Sequence, residues 1–379
     1  MELRDSSQEA SFRAELRRWI AQNLPPSLRG VYPRTQDLAA ARAWSQALSA
    51  AGYAGLTWPR EYGGQGAPYS QEAILLEELA RAEAPHHLGV IGLGMAGPTI
   101  MAHGSEAQKQ RHLARILDAS EIWCQGFSEP GAGSDLAALR TRAELRGDRL
   151  IVNGQKVWSS YAHIADWCIL LARTDPMAAR HQGLSFILLD MHVSGVEVRP
   201  IRQLTGDADF NEIFLTDVEV PVANVVGGLG EGWQVAMTTL LHERGTLGFA
   251  LTGALDNTVL RLLELAAERG GDDARLRDLV AREWILTRAL RLTAQRSLSQ
   301  HARTGIPGPE GSIVKLSFSE ANQRVTKLAR ELLDHDALLD DGLWLYQQLR
   351  SRGNTIEAGT SEVLRSIVAE RVLGLPRSR

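Results

Sequence analysis

The sequence predicts an α+β protein of several domains, helical at both ends with a central antiparallel β-sandwich or barrel. Three observations carry this reading. The chain has 379 residues, more than the roughly 250 to 300 at which a single hydrophobic core stops growing. A helical apolar period runs to about Trp123 and returns after Gly230, and short runs rich in Val, Ile, Leu and Phe separate the two stretches. The boundaries fall at 1–123, 124–228 and 229–379.

Ser6, Ser7, Gln8 and Glu9 form a capping-box pattern, and Phe12, Leu16, Trp19 and Ile20 follow at helical spacing until Pro25 and Pro26 stop the helix. A second helix carries Trp44 and Leu48, a third Ile74, Leu75 and Leu79, and a fourth runs from about Glu106 to Leu117. GLGMAG, residues 92–97, spells GxGxxG, yet no strand precedes it and no alternating strand and helix pattern follows. Close helix packing therefore explains these glycines better than a nucleotide. LIVNGQKVWSSY, WCILLAR, GLSFILLDM, VEVRPIRQL and NEIFLTDVEVPV, with Asn-Gly, Asp-Pro and Ser-Gly turns between them, read as strands. Helices are expected at 231–270, 274–303, 311–340 and 360–374.

Hydrophobic residues make up 44% of the chain and charged residues 23%, with a net charge of −4. That balance is globular, and no basic excess points to nucleic acid or an anionic membrane. Cys124 and Cys168 stand in no CxxC spacing and the ten histidines in no HExxH spacing, which argues against a disulfide framework and a metal site. The amino terminus has no signal-type apolar core, and nowhere do about 18 apolar residues run uninterrupted. A cytoplasmic protein is expected.

Glu243 and Arg244 interrupt an apolar run from Trp233 to Leu255, in which Trp233, Leu240 and Leu247 recur with Ala236 and Met237 between them. Glu243 follows Leu240 by three residues and precedes Leu247 by four, so the period gives it the apolar face. A carboxylate there costs several kcal/mol unless it is paired, hydrogen-bonded or used for its raised pKa. It is either a chemical tool or half of an ion pair.

CQGFSEPGAGSDLAALRT (124–141), NGQKVWSSYAHIADW (153–167), GWQVAMTTLLHERG and IEAGTSEVLRSIVAERVLGLP together resemble the acyl-CoA dehydrogenase family, in order and spacing, over essentially the whole chain. The resemblance implies a helical amino-terminal domain, a central β-sandwich and a carboxy-terminal four-helix bundle assembled around FAD. It further implies α,β-dehydrogenation of an acyl-CoA thioester to the trans-2-enoyl product, with electrons passed to an electron-transfer flavoprotein. By resemblance, Gln125, Phe127, Ser128, Gly133, Ser134, Trp158, Ser159, Ser160, Thr360 and Glu362 contact FAD, while Ser134, Arg244, Ala358 and Gly359 contact substrate. The glycines Gly131 and Gly133 let backbone approach a flat ring or phosphate. A helix start after Gly359 offers N–H groups to a polar cofactor group, although Thr360 also serves as a plain helix cap.

Many family members place the catalytic base directly before the Gly-Thr of the last block, where this chain has Ala358, with Glu357 one residue earlier. A minority, similar to isovaleryl- and long-chain acyl-CoA dehydrogenases, carry it on the middle helix before an Arg. Glu243 matches that position and is the expected base. Two family segments are replaced, around AAERGGDDARLRD and DHDALLDDGL; Arg275 is a substitute for the first. Some relatives with such losses work as α2β2 complexes with a paralogue, so a homotetramer or homodimer and an α2β2 assembly both stay open. So do two other roles, a subunit that completes a paralogue's FAD site and a flavin oxidase or monooxygenase of the same fold.

Overall fold

The computed structural model describes residues 4–30, 37–269, 273–304, 308–339 and 342–377, the side chains at 243–247 and 301–304 apart. Among these residues the chain forms helix, then sheet, then helix. Helices α1 (Ser7–Asn23), α2 (Leu38–Ala50), α3 (Tyr69–Arg81), α4 (Gly97–His103) and α5 (Glu106–Leu117) come first. Strands β1 (Trp123–Gly126), β2 (Arg142–Arg146), β3 (Arg149–Ser160), β4 (Trp167–Arg173), β5 (Leu184–Asp190), β6 (Val196–Ile201), β7 (Phe210–Pro221) and β8 (Val225–Val226) follow. Helices α6 (Gly232–Arg269), α7 (Ala274–Thr304), α8 (Gly311–Leu333), α9 (Leu343–Asn354) and α10 (Ser361–Ile367) complete it.

Local chemistry sets many of these boundaries. The Ser6 N–H donates to Glu9 Oε2 at 2.8 Å while Glu9 N–H donates to Ser6 Oγ at 3.3 Å, closing the capping box of α1. Ser105 and Gln108 do the same for α5. The helix expected over 311–340 ends earlier, at Leu333, because Asp334 turns left-handed at φ 50°. After it, LWLYQQLRSRGN forms α9, a helix that the apolar period alone does not mark.

The strands run in the order β6-β7-β3-β2-β4-β5-β8, with β1 beside β4. Pairing is antiparallel except for β1 with β4 and a single β2 to β4 contact, which are parallel; this departs from the wholly antiparallel expectation. Alternation along β4 and β5 sends Ile169, Leu171, Phe186 and Leu188 into one core with Ile100, Leu113 and Ile116 of the helices. Cys168, Leu170, Ile187 and Leu189 face the other way, against Ala143, Val152, Ile213 and Val218 of β2, β3 and β7. Both faces are covered, and the sheet encloses the second core by bending back on itself.

Two compact units result, one of Met1–Gln22, Pro68–Ala84 and Arg244–Arg379, the other of Asn23–Ala67 and Pro85–Glu243. The first unit takes α3 because Ala73 packs with Phe249, Leu255, Val314 and Phe318. Gly253 lies against Ala80, where a Cβ would come within 2.8 Å. The GxGxxG stretch belongs to the second unit as a π-helical turn, Gly92–Ala96, leading into α4. A Cβ on Gly92 would meet Ile116 at 2.9 Å and one on Gly97 would collide with the Trp58 ring. Gly92 and Gly97 thus serve packing, while nothing lies within 4 Å of where a Cβ on Gly94 would be.

Candidate active site

In the second unit, β1 ends at Gly126 and the chain enters a turn in which Glu129 and Ala132 exchange backbone hydrogen bonds of 3.0 Å. Gln125 and Ser128 are half-buried, and Phe127 is buried edge-on against Phe186, with centroids 5.9 Å apart. Ser134 is exposed, and Gly131 and Gly133 face open space, nothing lying within 4 Å of where their Cβ atoms would be. Neither glycine is demanded by the protein's own packing, which leaves the backbone of this turn open to close approach.

Sequence motifs missed what anchors this turn. Glu129 accepts hydrogen bonds from Arg140 N–H (2.7 Å), Thr141 N–H (2.8 Å) and the Lys156 ammonium (2.9 Å). Lys156, wholly buried, also donates to the Phe127 carbonyl at 3.0 Å. Burial raises the Glu129 carboxyl, but the charge of Lys156 and the hydrogen bonds from Thr141, Lys156 and Arg140 outweigh it and hold the group below its ordinary value. Burial pushes Lys156 down, against the pull of Glu129. The strand RLIVNGQKVWSS is mixed in character, so its sequence alone does not mark Lys156 as buried.

Two residues beyond Lys156, the β3 to β7 register slips at a bulge. Trp158 there takes φ 62° and is 59% exposed, touching Phe210 edge-on at 6.2 Å. A large aromatic ring in a left-handed backbone costs of order 1 to 3 kcal/mol, and leaving it in water forfeits its burial. Ser159 is buried, yet its Oγ has no hydrogen-bond partner among the described residues, while its carbonyl accepts from Asn211 at 3.0 Å. Ser160, half-buried, closes the strand opposite Phe210. A strained exposed ring, an unsatisfied hydroxyl and two bare glycines suit a planar ligand with polar edges.

In the first unit, Asn354 to Thr360 joins α9 to α10. Ala358 at φ 50° and Gly359 at φ 92° are consecutive left-handed residues. Glu357 is already engaged: Arg350 donates to both its oxygens (3.2 and 2.9 Å) and Asn354 Nδ2 donates at 2.8 Å. Thr360 caps α10 through Val363 N–H at 3.2 Å, Glu362 is exposed in the first turn, and the buried Ser361 Oγ has no partner among the described residues.

Glu243 and Arg244 lie in α6 but outside the residues whose side chains are described. Of the apolar period around them, Ala236 is buried and Trp233 and Leu240 are half-buried, whereas Met237 is 37% exposed; Leu247 lies outside the residues whose side chains are described. Arg275 meets Glu331 at 3.5 Å, and Leu338 and Leu339, in the replaced DHDALLDDGL segment, are 83% and 87% exposed. No group of three or more metal-ligating side chains occurs among the described residues, and no described helix is long and apolar enough to cross a membrane.

Family models for the acyl-CoA dehydrogenase N-terminal, middle and C-terminal domains match residues 6–120, 124–218 and 230–373. Acyl-CoA dehydrogenase IpdE1 of Mycobacterium tuberculosis is 42% identical over 97% of both chains. The ChsE4-ChsE5 complex of the same organism has a similar chain, 31% identical with a TM-score of 0.88 and full coverage of both. The Tcur3481-Tcur3483 steroid ACAD structure gives 30% identity, a TM-score of 0.88 and full coverage of both.

Proposed function

The chain belongs to the acyl-CoA dehydrogenase family, and from that premise we propose how its residues divide the oxidation of an acyl-CoA. The family's members are FAD-dependent oxidoreductases acting on acyl-CoA thioesters. FAD, when bound, supplies the acceptor for the β-hydride.

The observation that carries our reading is Trp158, exposed and left-handed at its bulge. With Gln125, Phe127, Ser128, Gly133, Ser134, Ser159 and Ser160 it holds the flavin, the orphaned Ser159 Oγ meeting a polar edge. Thr360 and Glu362 are assigned to the same cofactor by the family resemblance. Ser134, Arg244, Ala358 and Gly359 hold substrate, and the Ala358 N–H meets the thioester oxygen, which polarises the carbonyl and acidifies the α-carbon. Glu243 removes the α-proton as general base. The pairing of Glu357 with Arg350 supports this assignment, because that carboxylate is already committed and position 358 offers none.

Electrons then leave to an electron-transfer flavoprotein. Two of the relatives are described as a two-protein complex and a paired steroid enzyme, which supports an α2β2 assembly with a paralogue and a bulky polycyclic acyl group. The unlinked buried thiols of Cys124 and Cys168, register neighbours on β1 and β4, suit a reducing cytoplasm.

The test is anaerobic bleaching of the flavin by a panel of acyl-CoA thioesters, with the chain alone and co-expressed with a paralogue. Glu243→Gln keeps size and removes the proton acceptor, so flavin reduction falls by roughly 10² to 10⁴ while binding persists. Glu357→Gln stays within a few fold. Wild-type reduction by Glu243→Gln, or loss of reduction in Glu357→Gln alone, overturns the base assignment.

A further inference from the structure

We propose that Lys315 is a positioning residue that sets the Asn354–Gly359 loop for its contact with the thioester oxygen. This rests on the reading of Ala358 given above and adds the group that makes that contact reproducible. Lys315 is 7% exposed, one turn into α8 from its amino-terminal end. Its ammonium donates to the carbonyls of Asn354 at 2.7 Å and Gly359 at 2.8 Å, the two ends of the loop. One turn further along α8, Ser319 Oγ donates to the same Asn354 carbonyl at 2.7 Å. The Asn354 side chain in turn accepts from Asn322 at 2.8 Å and donates to Glu357 at 2.8 Å.

The loop needs holding. A left-handed alanine is strained by itself, and here a second left-handed residue follows it. Within the loop, Glu357 N–H is spent on Gly353 O at 3.0 Å and Ser361 N–H on Thr355 O at 2.9 Å. The N–H groups of Ala358 and Gly359 have no partner among the described residues. Those two free donors are what the left-handed pair presents, and the clamp keeps them from being folded inward.

A space-filling role does not explain a lysine. Burying an ammonium costs several kcal/mol, and methionine would fill the volume without that cost. An ammonium instead places several donors on one point and makes charge-assisted bonds roughly twice as strong as neutral ones. It can therefore fix two carbonyls of one loop at once. Its effect on the reaction passes through the loop backbone.

The experiment compares Lys315→Met and the milder Ser319→Ala with the wild type, as FAD-loaded enzyme in its native assembly. Three readouts use the acyl-CoA that best bleaches the wild type, its 3-thia analogue, and the matching alkyl-CoA thioether, which lacks the carbonyl oxygen. We expect Lys315→Met to slow flavin reduction by about 10- to 100-fold, the scale of misplacing one reacting contact. Affinity for the 3-thia thioester should drop about tenfold and its long-wavelength charge-transfer band should weaken, with thioether affinity unchanged. Ser319→Ala should move the same readouts in the same direction by a few fold. Equal losses for thioester and thioether in both variants, or no loss in either, overturn the proposal. If no thioester bleaches the wild type, the underlying reading of the loop fails instead.

Discussion

Lys156 and Lys315 are both buried ammonium groups that tie a loop to a regular element, one in each unit, and they do it with different chemistry. Lys156 reaches out of a strand to a carboxylate, Glu129, and to the Phe127 carbonyl. Lys315 reaches out of a helix to two carbonyls five residues apart. A carboxylate compensates the buried charge, so the first clamp is mutually dependent: remove either partner and the other is stranded. Carbonyl partners fix the direction of peptide planes instead. The Ser128–Thr141 turn is thus secured in place, whereas the Asn354–Gly359 loop is secured in conformation.

The largest expected effect breaks the first clamp. Lys156→Met leaves Glu129 charged and buried, and the second unit should lose about 3 to 5 kcal/mol in a denaturant melt. Pairing it with Glu129→Leu should return much of that loss, since an apolar pair replaces a buried ion pair nearly neutrally. If the single and double variants melt alike, the clamp does not hold the turn.

Acid should separate the two units next. Burial pushes His87, whose Nε2 meets the Leu117 carbonyl, down from 6.5 to about 4. His112, in van der Waals range of Trp123 and Trp167, is pushed down to about 4 by burial and by Arg111. Both histidines therefore contribute stability above pH 6.5 that is lost as pH falls towards 4, about 3 kcal/mol for His87. Glu78 of the first unit, lowered by Arg17 and Arg13 against its burial, yields only below the ordinary carboxyl range near 4.5. Between pH 6.5 and 4.5, amide exchange corrected for its intrinsic rate should rise in β3 before α8. Simultaneous loosening would show that the units respond as one.

The smallest effect has two signs. Trp158→Gly removes the left-handed strain and should stabilise the FAD-free protein by about 1 kcal/mol, yet it should lower retention of FAD on gel filtration. A variant less stable before loading would place Trp158 among ordinary packing residues.

The blocks that the family resemblance assigns to the site were legible because they keep residue types that ordinary packing does not need, such as the bare Gly131 and Gly133 and the tryptophan of VWSS. The helix, sheet, helix order was legible from period alone. What was not legible depends on partners distant in sequence. Lys156 with Glu129 spans 27 residues and Lys315 with Gly359 spans 44; Lys156 sits in the NGQKVWSSYAHIADW block, which gives it no role, and Lys315 sits in no such block. The assignment of α3 to the carboxy-terminal helices, the parallel β1 to β4 pairing and the end of α8 at Asp334 were hidden for the same reason. Each is decided by tertiary packing or by one backbone angle, which composition and spacing do not encode.

Trp158 also makes the molecule its own gauge. Trp44, Trp58 and Trp123 are at most 4% exposed, whereas Trp158 is 59% exposed, so its emission should be the most red-shifted and the most accessible to iodide. A flavin lying against that ring would quench it by energy transfer while leaving the deep tryptophans comparatively bright. Cofactor loading could then be followed in turbid lysate from the long-wavelength edge of intrinsic fluorescence, without a substrate or a coupled assay.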